Sequence, residues 1–272
     1  MPVSGAGASV SGVGVHSGLP ATVHLEPAPR GSGLRFVSRD GDHSFVARPD
    51  LVLGATMQTS LGTDAFSVST AEHLLAACSA LGVWDLTVRV DGDELPIGDG
   101  SAQPWVTALD SLAVSTASPA PFVVTEPIEV REGDRLARLE PADGCFVSCS
   151  LSPREGLGLL GPLTVELSVS PDTFRRDLAW ARTWAFAADA ERLLAAGYGA
   201  GATLENTLLV TADGVSNPGG VRGPSEPVRH KVVDALGDLA LLGRPFVGRL
   251  VLVDSGHSLH TALAQAVWAQ MK

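Results

Sequence analysis

The segment RHKVVDALGDLALLG, residues 229–243, restricts the fold more than any other part of the chain. On a helix turning about 100° per residue, Val228, Val232, Ala235, Leu236, Leu239 and Leu242 form one apolar face. His230, Asp234 and Asp238 advance along the opposite side, and Leu241 falls on that side with them. A solvated stripe is one reading of that side, but it would leave Leu241 in water. The other is a helix held between two layers, in which a buried Asp or His needs a partner or a metal ion. Ser225 is a plausible N-cap, Pro227 is tolerated in the first turn and Gly243 supplies a stop.

A second such helix is expected in SVSTAEHLLAACSALG, ending at Gly82. Ser69 and Glu72 have the spacing of a capping box, in which the glutamate serves only its own helix. A catalytic Glu72 is the competing reading. Both helices carry a histidine in their first turns, so His73 and His230 are expected at corresponding places in two related halves. Runs such as ATVHLEP, GLRFVSR and DLTVRVDGDELPI, and later FVVTEPIEV, CFVSCSL, LTVELSV and GRLVLVD, read as strands between Gly and Pro turns. DAERLLAAG reads as a helix, and SGHSLHTALAQAVWAQ as a turn and a short terminal helix. The segment STASPAP, 115–121, divides the two sets. The expected fold is α+β, with an N-terminal domain over 1–118 and a C-terminal domain over 122–272, each a sheet with helices.

A formal charge of −11 over 272 residues leaves no electrostatic basis for wrapping nucleic acid or docking on anionic lipid. No nucleic-acid partner and no stable membrane insertion are expected. The chain has no run near the roughly 20 apolar residues of a membrane span, and MPVSGAGASVSG lacks the regions of a secretion signal, which predicts a cytoplasmic location. Cys78, Cys145 and Cys149 have no CxxC spacing and read as buried apolar residues. Of 19 basic residues only Lys231 and the terminal Lys272 are lysine. An ammonium inside the constraining helix suits a point-charge contact to phosphate or to a reaction centre.

His230 and Asp234, four residues apart, can reach one metal ion, but two ligands do not complete a site. His73 is the natural third. A His, His, Asp set with an open fourth position fits hydrolytic zinc, which lowers the pKa of bound water to about 7. A nearby carboxylate such as Glu72 could take that water's proton. The residues alone leave His257, in DSGHSLH, open between a site histidine and a surface one in a turn.

GVGVHSG at 12–18, STAEHLLAACSALGV, ELPIGDGSAQPWV, ARTWAF, LENTLLV, VRHKVVDALGDLALLG and SGHSLHTAL follow one another in this order. In that order they resemble the motifs of the zinc-dependent UDP-3-O-acyl-N-acetylglucosamine deacetylases of lipid A synthesis, over nearly the whole chain. The resemblance implies two similar domains, each a sheet with helices, packed with the helices between the sheets, in a monomer. It implies Zn2+ held by His73, His230 and Asp234, with Glu72 as general base. His257 would protonate the leaving amine and steady the oxyanion, Asp238 would orient His257, and Thr183 would hydrogen-bond the oxyanion. Lys231 would make a positive contact near the substrate and its diphosphate. The implied substrate is a UDP-linked, 3-O-acylated N-acetylglucosamine that loses acetate.

The chain departs from the family pattern in several places. No QRT-like motif precedes Gly12, and Gly98, Trp184 and His260 stand where methionine, phenylalanine and asparagine are usual. Ser170 and Pro171 replace an HP pair. The family's strand, helix and strand around the acyl chain are expected to be reduced, because LTVELSVSPDTFRRDLAWARTW leaves little room for the helix. A zinc deacetylase of another UDP- or acyl-sugar and a non-catalytic zinc or nucleotide-sugar binding protein are the competing functions.

Overall fold

The computed structural model describes residues 7–114, 116–154 and 156–271. The opening of the N-terminal stretch (1–6), Ser115 of STASPAP, Glu155 and Lys272 lie outside the described residues.

The first half begins with β1 (Ala8–Val13), β2 (Pro20–Pro27), β3 (Leu34–Ser38) and β4 (Ser44–Val46). A small meander of β5 (Val52–Gly54), β6 (Ser60–Thr63) and β7 (Phe66–Val68) precedes α1 (Glu72–Ala80), β8 (Leu86–Asp91) and α2 (Gln103–Asp110). The main sheet runs β1-β2-β8-β3-β4, with β8 antiparallel to β2 and parallel to β3.

The second half repeats the plan. It contains β9 (Phe122–Val123), β10 (Ile128–Glu132), β11 (Arg135–Glu140), β12 (Cys145–Ser150) and β13 (Thr164–Ser168). After them come α3 (Pro171–Thr173), β14 (Trp184–Phe186), α4 (Ala190–Ala195), β15 (Leu208–Thr211) and β16 (Gly214–Val215). The chain closes with α5 (Glu226–Ala240), β17 (Phe246–Val253) and α6 (His257–Gln270). This sheet runs β10-β11-β17-β12-β13, with β17 antiparallel to β11 and parallel to β12, and β9 extends it along β17. The two sheets therefore share one strand order. In each half one helix comes immediately before the central strand (α1, α5) and one follows it (α2, α6).

The central strands β8, LTVRVD, and β17, FVGRLVLV, alternate buried and partly exposed residues, the period of a sheet with one face on a core. That core is continuous. It passes from Val23, Phe36 and Val88 through Leu74, Val232 and Leu236 to Leu139, Val147 and Leu250, with α1 packed directly on α5. The helices thus lie between the sheets. His230, Asp234, Asp238 and Leu241 are all buried, which overturns the solvated-stripe reading of α5.

Four other expectations are corrected. α1 starts at Glu72 with Ala71 at its N-cap and no side-chain cap, so Ser69 and Glu72 form no capping box. The Ser69 hydroxyl meets Ser60 instead, because Ser69 is tied to Glu94 by a β-bridge. The terminal helix is long, and His257 begins it as a buried residue rather than projecting from a turn. Cys78 and Cys149 are buried, but Cys145 is only partly so.

The fourth correction concerns the expected reduced insert. Between β13 and β14 the chain makes one short helical segment, in which α3 runs on as a wider π-helical turn over Phe174–Leu178. A strand–helix–strand unit nevertheless exists one step further on, where β14 and β15 pair in parallel with α4 in their connection.

The crossing of α1 and α5 depends on Gly237. A Cβ there would sit 2.1 Å from the Glu72 carbonyl oxygen, with backbone rather than a movable side chain as the obstacle. Gly237→Ala is expected to destabilise the fold by about 2 to 3 kcal/mol in urea unfolding. Gly158→Ala, where nothing lies within 4 Å, serves as the near-neutral comparison.

Candidate active site

The N-terminal half of α1 meets the middle of α5, and this junction gathers the expected residues. His73 and His230 come from opposite halves, and their rings stand edge to face at 4.9 Å. Asp234 Oδ1 lies 3.2 Å from His230 Nε2 and 3.8 Å from His73 Nε2. One ligand atom from each of these three buried residues falls within 4.8 Å of the others. His230 Nδ1 is 2.9 Å from the Ala181 carbonyl, which can only accept, so Nδ1 carries the hydrogen and Nε2 is left with its lone pair.

Glu72 and His257 lie beside this cradle, with Glu72 Oε1 3.8 Å from His257 Nε2. Asp238 Oδ2 accepts from His257 Nδ1 at 2.9 Å and from His260 Nδ1 at 3.1 Å. The other nitrogen of His260 meets the Ser255 hydroxyl at 2.9 Å. Lys231 donates to Asp234 Oδ2 at 3.1 Å, and its ammonium sits 5.8 Å from the centre of the Trp184 ring. Thr183 lines the same cavity of about 100 Å³ as Glu72, His73, His230, Asp234 and His257. Glu72, His73, Thr183, His230, Lys231, Asp234, Asp238 and His257 therefore lie together at this junction.

Neighbouring charges reinforce burial at some of these groups and oppose it at others. Burial pushes the Glu72 carboxyl up to about 7, with Asp238 and Asp234 adding to the effect and His257 resisting it. Burial lowers His73 to about 3, and neighbouring His230 acts in the same sense. His230 is lowered as well, chiefly by burial, so both imidazoles are neutral. Burial alone would raise Asp234, but His230, Lys231, His257 and His73 hold it below the usual carboxylate range. Burial would lower His257, yet Asp238, Asp234 and Glu72 together raise it to about 9.

Some participants were not legible in the sequence. His16, from the GVGVHSG motif, reaches the cavity and packs edge to face on Tyr198 at 5.1 Å. Thr59 donates its backbone N–H to Glu72 and its hydroxyl to Asp238. Arg135 and Arg154 line an adjoining groove of about 550 Å³ with Lys231, Trp184 and Phe186. A basic residue on an ordinary strand or loop carries no spacing signal.

Two matching α+β halves that close on buried acid–base groups beside a His, His, Asp cradle place this protein among hydrolases of the metalloenzyme kind. A family model described as UDP-3-O-acyl N-acetylglycosamine deacetylase matches residues 5–269, and the chain belongs to that family. It is 44% identical to the UDP-3-O-acyl-N-acetylglucosamine deacetylase of Anaeromyxobacter sp. (strain Fw109-5), over 96% of this chain and 86% of the relative. Identity to the enzyme of the same name from Myxococcus xanthus is 37%, over 96% and 83%. For the one from Brucella ovis it is 38%, over 97% and 93%.

The start of α5 is anchored by a buried ion pair. Glu226, fully buried, accepts from Arg182 Nε at 2.8 Å and from the backbone N–H groups of Arg182 at 3.1 Å and Arg222 at 2.7 Å. Glu226→Ala leaves the Arg182 guanidinium buried and unpaired. It is expected to cost about 3 to 5 kcal/mol in urea unfolding, and Glu226→Gln is expected to be costly as well, because it removes the same charge and turns an amide NH2 toward N–H donors that now meet a carboxylate oxygen.

Proposed function

We propose that the protein hydrolyses the N-acetyl amide of a UDP-linked, 3-O-acylated N-acetylglucosamine and releases acetate, an early step of lipid A synthesis, with one zinc ion as cofactor. The observation that carries this reading is the meeting, at one buried point, of a His, His, Asp cradle drawn from both halves and a Glu72–His257 pair. The names of the relatives supply the substrate class. The reading takes 1–118 and 122–272 as the two domains of a cytoplasmic monomer.

The donor set suits zinc. Two neutral imidazole nitrogens and one carboxylate are the ligands of a hydrolytic site, and the Ala181 carbonyl already fixes the His230 tautomer that ligation requires. When bound by His73, His230 and Asp234, zinc acidifies water and polarises the amide carbonyl. Glu72 takes the proton of the attacking water, for which a value of about 7 is well matched. His257, protonated below about 9 and held through Nδ1 by Asp238, offers its Nε2 hydrogen to the leaving amine. The Thr183 hydroxyl donates to the carbonyl oxygen as charge develops there. Lys231 stands where the cavity joins the Arg135–Arg154 groove, whose cations and aromatic rings suit a diphosphate and a nucleoside base.

An acylated substrate is favoured over an unacylated one by a second groove. It has about 280 Å³ of space and is lined by Leu193, Leu194, Tyr198, Leu204 and Leu209 of the strand–helix–strand unit. An acyl chain there removes apolar surface from water on both sides.

Purified protein is expected to contain one zinc per chain and to release acetate from the acylated substrate. Glu72→Gln should lower kcat by about 10²- to 10⁴-fold with zinc retained, whereas His230→Ala should lose the metal. Zinc retention without turnover by the wild type would favour a binding protein instead. Activity should rise with pH as Glu72 deprotonates, at or below about 7, and fall as His257 loses its proton, at or below about 9, because a dication in the cradle lowers both groups. Leu194→Glu, in the apolar groove but outside the catalytic cavity, should raise KM for the acylated substrate about tenfold or more while sparing the unacylated sugar. An equal effect on both would argue against the acyl groove.

A further inference from the structure

We propose that Thr59 is a positioning residue that holds the base Glu72 and the carboxylate of Asp238 in register across the two halves, a role that rests on the deacetylase reading above. Thr59 stands just before β6 and is fully buried. Its backbone N–H donates to Glu72 Oε2 at 3.1 Å, and its hydroxyl donates to Asp238 Oδ1 at 2.5 Å. Its oxygen also lies 3.3 Å from His257 Nδ1.

The hydrogen count makes these contacts directional. An ionised Asp238 has no hydrogen to give, so the single hydroxyl hydrogen of Thr59 points to Oδ1. Asp238 is held in that ionised form against its burial by His257 and His260. With Oδ1 occupied, Oδ2 is the oxygen left for both imidazoles, and it receives Nδ1 of His257 and of His260. The lone pair of the Thr59 oxygen faces the same His257 N–H. His257 Nε2 is thereby left as the nitrogen that faces Glu72.

The backbone does the equivalent for the base. Glu72 Oε2 is taken by the Thr59 N–H, so Oε1 is the oxygen turned toward His257. One residue of the first half's meander thus selects the working oxygen of the base and the working nitrogen of the acid. Its neighbours are otherwise engaged: Ser60 bonds Ser69, and Gln58 accepts from Thr70.

Thr59→Val keeps the volume and the backbone N–H but removes the hydroxyl donor, Thr59→Ser keeps the donor, and Thr59→Ala is a second hydroxyl-free variant should valine impair folding. With the acylated substrate, kcat is expected to fall about 10- to 100-fold in the valine and alanine variants, with KM and zinc content unchanged. The serine variant should stay within about threefold of wild type. In proton NMR of protein carrying nitrogen-15 histidine, the His257 Nδ1–H resonance should be sharp in wild type and Thr59→Ser, and shifted or lost to exchange in the other two. Equal losses in all three variants would overturn the role, as would a Thr59→Val kcat within about twofold of wild type with the resonance unmoved. The resonance needs no turnover. A wild type inactive on the sugar would sink the deacetylase reading while the resonance still decides the role of Thr59.

Discussion

The backbone contact between Gly237 of α5 and the carbonyl of Glu72 at the start of α1 is the constraint on which the rest depends. It sets two helices from different halves closer together than any side chain at 237 would allow. At that distance His73 and His230 share one carboxylate, and Glu72 faces His257. The repeated sheet order supplies the two halves, but it is this crossing that turns two similar layers into one site. The layers themselves are ordinary; their contact is not.

Burial of so many ionisable groups would be costly if they were scattered. Here the groups compensate one another, and the compensation is uneven in a useful way. Asp234, surrounded by three imidazoles and Lys231, stays ionised, while Glu72, flanked by two carboxylates, is raised to about 7. His73 and His230 are kept neutral and His257 is kept charged, although all three are buried. Neutral imidazoles bind metals and a charged one gives up a proton. Burial therefore prevails at His73 and His230, whereas three carboxylates outweigh it at His257.

Much of this was legible in the chain. Leu241 on the polar side of the α5 helix already required a layer on both sides, and the spacing of His230, Asp234 and Asp238 is preserved in space. The echo between EHLLAACSALG and RHKVVDALGDLALLG pointed to His73 as the partner of His230, since corresponding helices in repeated halves meet at their interface. Glu72 was ambiguous because a capping box and a catalytic glutamate have the same local pattern. The β-bridge of Ser69 to Glu94, which removes the capping alternative, is a long-range pairing that no short window contains. Thr59 was invisible for a related reason: half of its contribution comes from a backbone N–H, which every residue but proline possesses. The helix α4 was legible in DAERLLAAG, but the strand–helix–strand unit was not, because its first strand, β14, has three residues of equal partial burial and so no alternation to mark it.

The central claim is that the two halves hold one zinc ion between them at His73, His230 and Asp234. Anomalous diffraction at the zinc edge from crystals of the zinc-loaded protein tests it most directly. The account predicts a single peak about 2.0 to 2.2 Å from Nε2 of both histidines and from a carboxylate oxygen of Asp234. A peak at the neighbouring Asp238, His257 and His260 group instead, or no peak between α1 and α5, would contradict it.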